Sequence, residues 1–355
     1  MAPSRLLACI ASFPRCSHSM NPRTQWLASL LTISLSCIMN ASAAAAPIAL
    51  AIHGGAGVSR HELTPEREAA CRQTLEESLR AGEKILREGG TSLDAVQAAI
   101  VVLEDSPLFN AGRGSVLTAA GTVEMDAAVM TGAKPAAGAV AGVSGVRNPI
   151  RLARMVMERT PHVLLAGKGA EDFAHECGLP FEAPEWFITP EQKAKLKKAK
   201  EKAGHASSGR GREDLTLRIG TVGAVALDRA GNLTAGTSTG GLTNKRPGRV
   251  GDSPVIGAGT FAEDGVCAVS CTGHGEFFIR SVVAYDVAAL MKYRQLSLAE
   301  ATNEVVRQKL KKLGGDGGLI SVDAKGNVAT PFNTPGMFHG WVKADGALHI
   351  AIFEE

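Results

Sequence analysis

The sequence predicts an α+β fold, an αββα sandwich in which two sheets pack face to face and helices cover both outer sides. Two observations predict it. Strands, paired helices and further strands precede a basic stretch at 189–218, and the same order recurs after that stretch. Two segments of the second half, 228–232 and 323–327, share the pattern Asp-x-x-Gly-Asn, which is typical of a hairpin with a type I turn and a glycine bulge. With 355 residues, 45% of them hydrophobic, the chain is long enough to bury such a core.

The first half begins with a short apolar strand at 47–52, which runs into a glycine-rich turn at 53–57. A helix is predicted from the cap Thr64 to Gly89-Gly90, and a second from Thr91, with Asp94 in its first turn, to the residues before Pro107. The remaining elements are strands at 123–130, 136–143 and 162–166 and helices at 149–159 and 170–177.

The second half begins with a strand at 220–228, the first arm of the first hairpin. Two helices, at about 276–292 and 297–313, separate the two hairpins. Ser297 and Glu300 form a capping-box pattern at the start of the second helix. The preceding stretch at 189–218 is rich in lysine and then in Gly, Ser and Arg, which indicates a short basic helix followed by a flexible linker.

The first 43 residues are typical of a signal peptide. Arg23 precedes an apolar run at 26–39, and Ala41-Ser42-Ala43 fits a cleavage site. We therefore expect a periplasmic or secreted protein without a membrane anchor after processing, started at Met1 or Met20; a retained anchor is the alternative.

Charge and cysteine content exclude some functions. The excess of basic over acidic residues lies in the leader and the linker, so the net charge of +3 does not predict a nucleic-acid-binding face. The glycines at 53–57 lack the spacing of a dinucleotide-binding loop. Cys71, Cys177, Cys267 and Cys271 show no metal-ligand spacing and are expected to be buried thiols.

The dipeptide Gly220-Thr221 predicts a self-cleaving chain. A threonine that opens a strand directly after a flexible linker suits a new chain end, so we expect cleavage between these residues. The hydroxyl of Thr221 would attack the Gly220 carbonyl, and water would resolve the resulting ester. The freed α-amine has a pKa of about 7.7–8.0 and can serve as the general base for the Thr221 hydroxyl.

The hairpin supplies a partner for this threonine. Counting outward from Ala230, at the centre of the turn, places Thr221 opposite Thr239, and directly opposed residues have Cβ atoms about 5 Å apart. The alternative is an ordinary Thr/Ser-rich strand at 237–239.

Two further segments carry candidate binding groups. Arg249 and Asp252 carry opposite charges and lie three residues apart. Arginine binds a carboxylate and aspartate binds an ammonium, so the pair is a candidate binding site for an amino acid; a local surface salt bridge is the alternative. In 270–276 a strand runs into a helix, and Thr272 and Gly273 are candidates for an oxyanion hole; a simple glycine turn is the alternative.

Other polar residues have less distinctive surroundings. His53 is expected to be a structural buried histidine, and His274 is not expected to act as an acid or base. Glu124 and Asp126 lie on one face of a predicted strand, which suggests a solvated face more than paired glycosidase carboxylates. The loop at 108–114 either positions functional groups or simply turns the chain.

The segments 220–225, 237–241, 247–252 and 270–276 together resemble the plant-type L-asparaginases with isoaspartyl aminopeptidase activity, which are N-terminal-nucleophile hydrolases. The resemblance runs from about Pro47 to the C-terminus and weakens at 186–218. It implies the αββα sandwich, an α subunit at 44–220, a β subunit at 221–355, and a dimer of the cleaved αβ units.

The resemblance also implies roles for single residues. Thr221 would be the nucleophile, supported by Thr239; Thr272 and Gly273 would stabilise the oxyanion. Arg249 and Asp252 would bind the substrate's α-carboxylate and α-ammonium, Gly275 would line the pocket, and Asn110 would lie near the nucleophile. No cofactor is implied for catalysis, but backbone carbonyls of one loop would hold a structural sodium ion: those of Leu103, Glu104, Ser106, Phe109, Ala111 and Arg113.

These features predict an amidohydrolase that releases L-aspartate from asparagine and β-aspartyl dipeptides. One alternative is a glycosylasparaginase, which cuts the glycan–asparagine bond. A second is a non-catalytic exported protein that binds amino acids through Arg249 and Asp252.

Overall fold

The computed structural model describes residues 47–205 and 220–354. The predicted signal peptide and the part of the predicted linker after residue 205 lie outside the described residues. The first half contains strands β1 to β4 and helices α1 to α6: β1 (Ala49–Ala56), α1 (Pro65–Arg87), α2 (Ser92–Asp105), β2 (Met125–Thr131), β3 (Ala136–Val143), α3 (Pro149–Arg159), β4 (Leu164–Ala166), α4 (Gly167–Glu176), α5 (Pro184–Phe187) and α6 (Pro190–His205). Short 3-10 turns occur at Arg60–Glu62 and Gly112–Gly114.

The second half contains strands β5 to β12 and helices α7 to α9: β5 (Val222–Leu227), β6 (Leu233–Thr239), β7 (Thr260–Glu263), β8 (Cys267–Gly273), α7 (Gly275–Ser281), α8 (Val283–Arg294), α9 (Leu298–Asn303, continued as a π-helix over Glu304–Leu310), β9 (Gly317–Asp323), β10 (Val328–Ala329), β11 (Met337–Lys343) and β12 (Leu348–Ala351).

The strands form two sheets. The larger has eight strands in the order β12-β11-β1-β5-β6-β2-β3-β4, and the smaller has four in the order β10-β9-β8-β7. The centre of the larger sheet therefore places β5, which begins at Val222, between β1 and β6. All three strands are antiparallel to their neighbours there.

Side chains of the central strands point alternately to the helices and to the smaller sheet, so the fold has four layers. In β1, Leu50 and Ile52 face the helices α1 to α3, whereas Ala49 and Ala51 belong to the core shared with the smaller sheet. Successive side chains of a strand point to opposite faces, and both faces are buried here, so these strands are apolar throughout. Helices α8 and α9 cover the other side of the smaller sheet. The predicted αββα sandwich is confirmed.

The caps and the two hairpins form as predicted. The side chain of Thr64 accepts a hydrogen bond from Arg67 N, and that of Thr91 accepts one from Asp94 N. In the first hairpin the Asp228 carboxylate accepts bonds from the backbone of Ala230 and Asn232, and Gly231 adopts a positive φ of 85°. The second hairpin repeats this arrangement around Asp323.

Two predicted boundaries need correction. The glycine-rich segment at 53–56 is not a turn but continues β1, with a bulge between His53 and Gly55. The helix predicted at 276–292 is two helices, because Val282 is left-handed.

The short basic helix predicted at the start of 189–218 is present as the helix α6 over residues 190–205. It packs against the rest of the fold, because Gln192 Nε2 donates to Gly114 O at 2.9 Å and Leu196 is buried.

Cys71, Cys267 and Cys271 are buried free thiols, as predicted, while Cys177 is half-buried. Within the described ranges no helix is both long and apolar enough to cross a membrane.

Candidate active site

Thr221 lies at the start of β5, directly opposite Thr239 at the end of β6. The register pairs Val222 with Ser238, so the preceding residue faces Thr239, as the count from the hairpin turn predicts. The Thr221 hydroxyl donates to Thr239 Oγ1 at 3.0 Å, and Thr239 Oγ1 also accepts from Gly241 N at 2.9 Å. Both side chains are buried. The Thr221 hydroxyl is thus held in one orientation by a neighbour that is itself fixed.

Gly220 is enclosed by backbone atoms of β1 and by the end of β8. A Cβ atom on Gly55 would collide with the Gly220 carbonyl, and Gly55 has a φ of 108°, a conformation that favours glycine. A Cβ on Gly220 would lie 3.0 Å from Thr272 Oγ1. The peptide bond between Gly220 and Thr221 is therefore closely surrounded, and the bulge of β1 makes that contact.

Thr272 and Gly273 end β8 beside this peptide. Thr272 Oγ1 accepts from Ala56 N at 3.3 Å. Gly273 has a φ of 150°, and a Cβ there would collide with the Asp316 carbonyl. Only a glycine fits this packing.

His53 forms a hydrogen bond with the backbone of Thr221. A carbonyl oxygen only accepts, so His53 Nδ1 donates to Thr221 O at 3.0 Å. In the neutral ring Nε2 then accepts from Ser270 Oγ, also at 3.0 Å. Burial lowers the pKa of His53 to about 3. A neutral histidine with both nitrogens engaged is structural, as expected. The buried hydroxyls that complete this network, Ser270 and Thr237 (2.7 Å apart), were not predicted, since they come from strands of different sheets.

Arg249 does not pair with Asp252. Its Nε and Nη2 each donate to a carboxylate oxygen of Glu276 at 3.0 Å, a bidentate geometry. Hydrogen bonding from His274 and pairing with Arg249 hold the pKa of Glu276 well below its usual range. The alternative of a local Arg249–Asp252 salt bridge is therefore wrong. Glu276 is the last residue of the segment 270–276 and lies in the first turn of α7, whereas Arg249 lies in a loop. Their contact was not predicted.

Asp252 is buried beside Arg249, and its Oδ2 has no hydrogen-bond partner. Burial raises the pKa of Asp252 to about 7, although the Arg249 charge opposes this rise. A buried polar atom without a partner is costly in a folded protein, so this oxygen is available for a cationic ligand.

Gly275 separates Asp252 from Arg249. A Cβ on Gly275 would lie 2.7 Å from Asp252 Oδ1 and 3.0 Å from Arg249 Nη2. The absence of a side chain there leaves space between the cationic and the anionic group. The α-ammonium and α-carboxylate of an amino acid, attached to the same carbon, match that pair of charges.

Asn110 supports the loop that follows Thr239. Its Nδ2 donates to Gly241 O at 2.7 Å, and its Oδ1 accepts from Val116 N at 2.9 Å. It makes these bonds while buried, so the loop at 108–114 positions the residues next to Thr239 and does more than turn the chain.

Asp126 corrects the expectation of a solvated strand face. It is fully buried and pairs in register with Thr239; its Oδ1 accepts from Gly142 N at 2.8 Å, and burial raises its pKa. Glu124 lies outside β2, where it accepts from Gly248 N at 2.8 Å. The two carboxylates therefore do not form a pair. The strand pairing that buries Asp126 joins residues far apart in the chain.

The predicted sodium loop follows the C-terminus of α2. Pro107 has no N–H, and Leu108 N donates to Ser106 Oγ at 3.3 Å, so the carbonyls of Leu103 and Glu104 do not receive their usual helical partners. Phe109 O and Ala111 O, by contrast, accept from Ala111 N and Gly114 N. Free carbonyls at the negative end of a helix fit a monovalent cation. Over residues 47–205 and 220–354, no group of three or more His, Cys, Asp or Glu could hold a metal ion.

Comparison with known proteins places this chain in a family. The family model described as Asparaginase matches residues 46–352. The isoaspartyl peptidase of Salmonella typhimurium is 52% identical over 308 residues, which cover 86% of this chain and 98% of that protein. The isoaspartyl peptidase of Escherichia coli is 50% identical, with 86% and 96% covered. The isoaspartyl peptidase/L-asparaginase of Homo sapiens is 42% identical over 310 residues, again with 86% and 96% covered. With the match running from β1 through β12, this chain belongs to the asparaginase family of N-terminal-nucleophile hydrolases.

Proposed function

We propose that this chain is an amidohydrolase that cuts itself between Gly220 and Thr221 and then releases L-aspartate from asparagine and β-aspartyl dipeptides. The observation that carries the proposal is the buried Thr221 hydroxyl, 3.0 Å from Thr239 Oγ1 and next to the enclosed Gly220. Relatives named isoaspartyl peptidase or isoaspartyl peptidase/L-asparaginase support the substrate class.

Self-cleavage proceeds in two steps. Thr221 Oγ attacks the Gly220 carbonyl carbon, its proton passes to the departing Thr221 nitrogen, and the amide becomes an ester. This first step already frees the Thr221 α-amine. Water then hydrolyses the ester, which releases the Gly220 carboxylate and restores the Thr221 hydroxyl. The glycines around this bond allow the backbone conformation that the attack requires.

Substrate hydrolysis uses the same hydroxyl. The α-amine takes the proton of Thr221 Oγ as it attacks the side-chain amide carbon, and it then protonates the departing ammonia or amino acid. Thr272 Oγ1 and Gly273 N stabilise the oxyanion of the tetrahedral intermediate. Water resolves the aspartyl ester of Thr221. Arg249 binds the α-carboxylate of the substrate, and Asp252 binds the α-ammonium.

A comparison of three substrates tests this function. Purified protein is expected to release aspartate from asparagine and from β-aspartyl-leucine, and much more slowly from asparagine carrying an N-linked sugar. Turnover of the glycosylated substrate alone would favour glycosylasparaginase. Tight binding of aspartate without turnover of any substrate would instead favour a binding protein.

Activity is expected to fall steeply on the acid side of neutrality. Asp252, with a pKa of about 7, is protonated below that pH and then cannot pair with the substrate ammonium. The Thr221 α-amine, with a pKa of about 7.7–8.0, is protonated in the same range. Because both groups must be deprotonated, kcat/KM for asparagine is expected to fall by up to about a hundredfold for each pH unit well below pH 6.

The pH profile of Asp252→Asn provides the control. This variant is expected to have low activity and a shallower acid limb, because one titrating group is gone. A wild-type profile that stays flat down to pH 5 would contradict the assignment of both groups.

The proposal extends to processing and assembly. The leader at 1–43 would direct export to the periplasm or the medium, the cleaved αβ unit would form a dimer, and the loop Leu103–Arg113 would hold sodium. Cell fractionation, the mass of the purified assembly and the sodium dependence of unfolding temperature test these three points separately.

A further inference from the structure

A cavity of about 210 Å³ lies beside the candidate active site. Residues from four described segments line it, among them Ala56, Gly57, Gly273, His274, Asp316 and Thr334. At about 30 Å³ per water molecule, its volume corresponds to roughly seven waters, which is room for one medium-sized side chain.

The cavity begins where the chain contacts Gly220. Ala56 N donates to Thr272 Oγ1 at 3.3 Å, and a Cβ on Gly220 would lie 3.8 Å from that same nitrogen. Gly273, the neighbour of Thr272, also lines the cavity. A group bound in the cavity would therefore lie next to Gly220, whose carbonyl Thr221 attacks in self-cleavage.

The acyl half of the substrate has a different place. Arg249, Asp252 and Gly275 form the charged grip described above, and none of these residues lines the cavity. With the aspartyl group held by that grip, the cavity adjoins the bond that breaks and remains open for the other half of the substrate.

The lining has a defined chemistry. Ala56, the two glycines and Pro335 supply apolar wall, and the acidic residues are Glu62 and Asp316. The described part of the lining contains no lysine or arginine. His274 also lines the cavity, and its Nε2 pairs with Glu276 Oε2 at 3.1 Å. A negatively charged side chain would therefore meet two carboxylates and neither lysine nor arginine.

We propose that this cavity binds the side chain of the leaving amino acid of a β-aspartyl dipeptide, and that it favours an uncharged aliphatic side chain over an acidic one. This inference rests on the proposed function. Asparagine needs no such cavity, because its leaving group is ammonia, so turnover of asparagine reports on the catalytic centre alone.

Filling the cavity tests the inference. Thr334 is half-buried, and its hydroxyl donates to Gly336 O at 3.0 Å. Thr334→Phe is expected to lower kcat/KM for β-aspartyl-leucine by at least about tenfold while changing that for asparagine by less than about twofold. Thr334→Val, which loses the same hydrogen bond without filling space, is the matched control and should stay close to the wild type on both substrates.

A charge change tests the selectivity. The wild-type enzyme is expected to prefer β-aspartyl-leucine to β-aspartyl-glutamate, and Glu62→Gln should narrow that preference by about threefold, as expected for an exposed charge. Equal losses on asparagine and β-aspartyl-leucine in Thr334→Phe, or no loss on either, would overturn the inference. So would a wild-type preference for the glutamate peptide. Wild-type protein that turns over no asparagine would overturn the proposed function, and this inference with it.

Discussion

Replacing Thr221 with alanine is expected to leave the chain in one piece and to abolish asparagine turnover. The variant lacks the hydroxyl that attacks Gly220, and it never gains the free α-amine. Removing the nucleophile of a hydrolase costs on the order of a millionfold in kcat. The hydrogen bond of this side chain to Thr239 contributes only about 1 kcal/mol, so the fold should remain. Denaturing gels, activity assays and thermal unfolding measure the three outcomes.

Thr221→Ser is the matched control for that experiment. It keeps a hydroxyl and yields an N-terminal amine, so it should cut itself and retain measurable activity. Fragments from the alanine variant divided at the same bond, or its turnover of asparagine, would contradict the assignment of the nucleophile.

Replacing Arg249 with alanine is expected to separate catalysis from self-cleavage. The guanidinium is largely buried, with 16% of the side chain exposed, and loss of a buried charged partner costs about 2–5 kcal/mol. We therefore expect kcat/KM for asparagine and for β-aspartyl-leucine to fall by about 30-fold to several thousandfold. The cut at 220–221 needs no substrate carboxylate and should proceed normally.

Arg246 supplies the control for Arg249, because it lies in the same loop with its side chain exposed. Arg246→Ala should leave both reactions close to wild type. If the two alanine variants lose equal activity, or if Arg249→Ala keeps full kcat/KM, Arg249 does not bind the substrate carboxylate.

Local patterns predicted the parts of this site that lie within one hairpin or one cap. The pairing of Thr221 with Thr239 follows from a count around Ala230, because the turn type sets the register of the strands. The Asp-x-x-Gly-Asn turns and the caps at Thr64 and Thr91 are local in the same sense. Their geometry depends on residues only a few positions apart.

Contacts between distant segments were beyond such patterns. Burial of Asp126 depends on its pairing with Thr239, and the Arg249–Glu276 pair joins a loop to the first turn of α7. The residues around His53 looked like a turn because of their glycines, yet those glycines admit Gly220 at a bulge of β1. In each case the amino acids were visible, but the tertiary contact that gives them their environment was not.

The most direct test of the proposed activation is N-terminal sequencing of the smaller fragment of the purified wild-type protein. Activation at Gly220-Thr221 predicts a fragment that spans 221–355 and begins Thr-Val-Gly-Ala-Val. A protein that hydrolyses asparagine as an uncut chain, or a fragment that begins at any other residue, would contradict it.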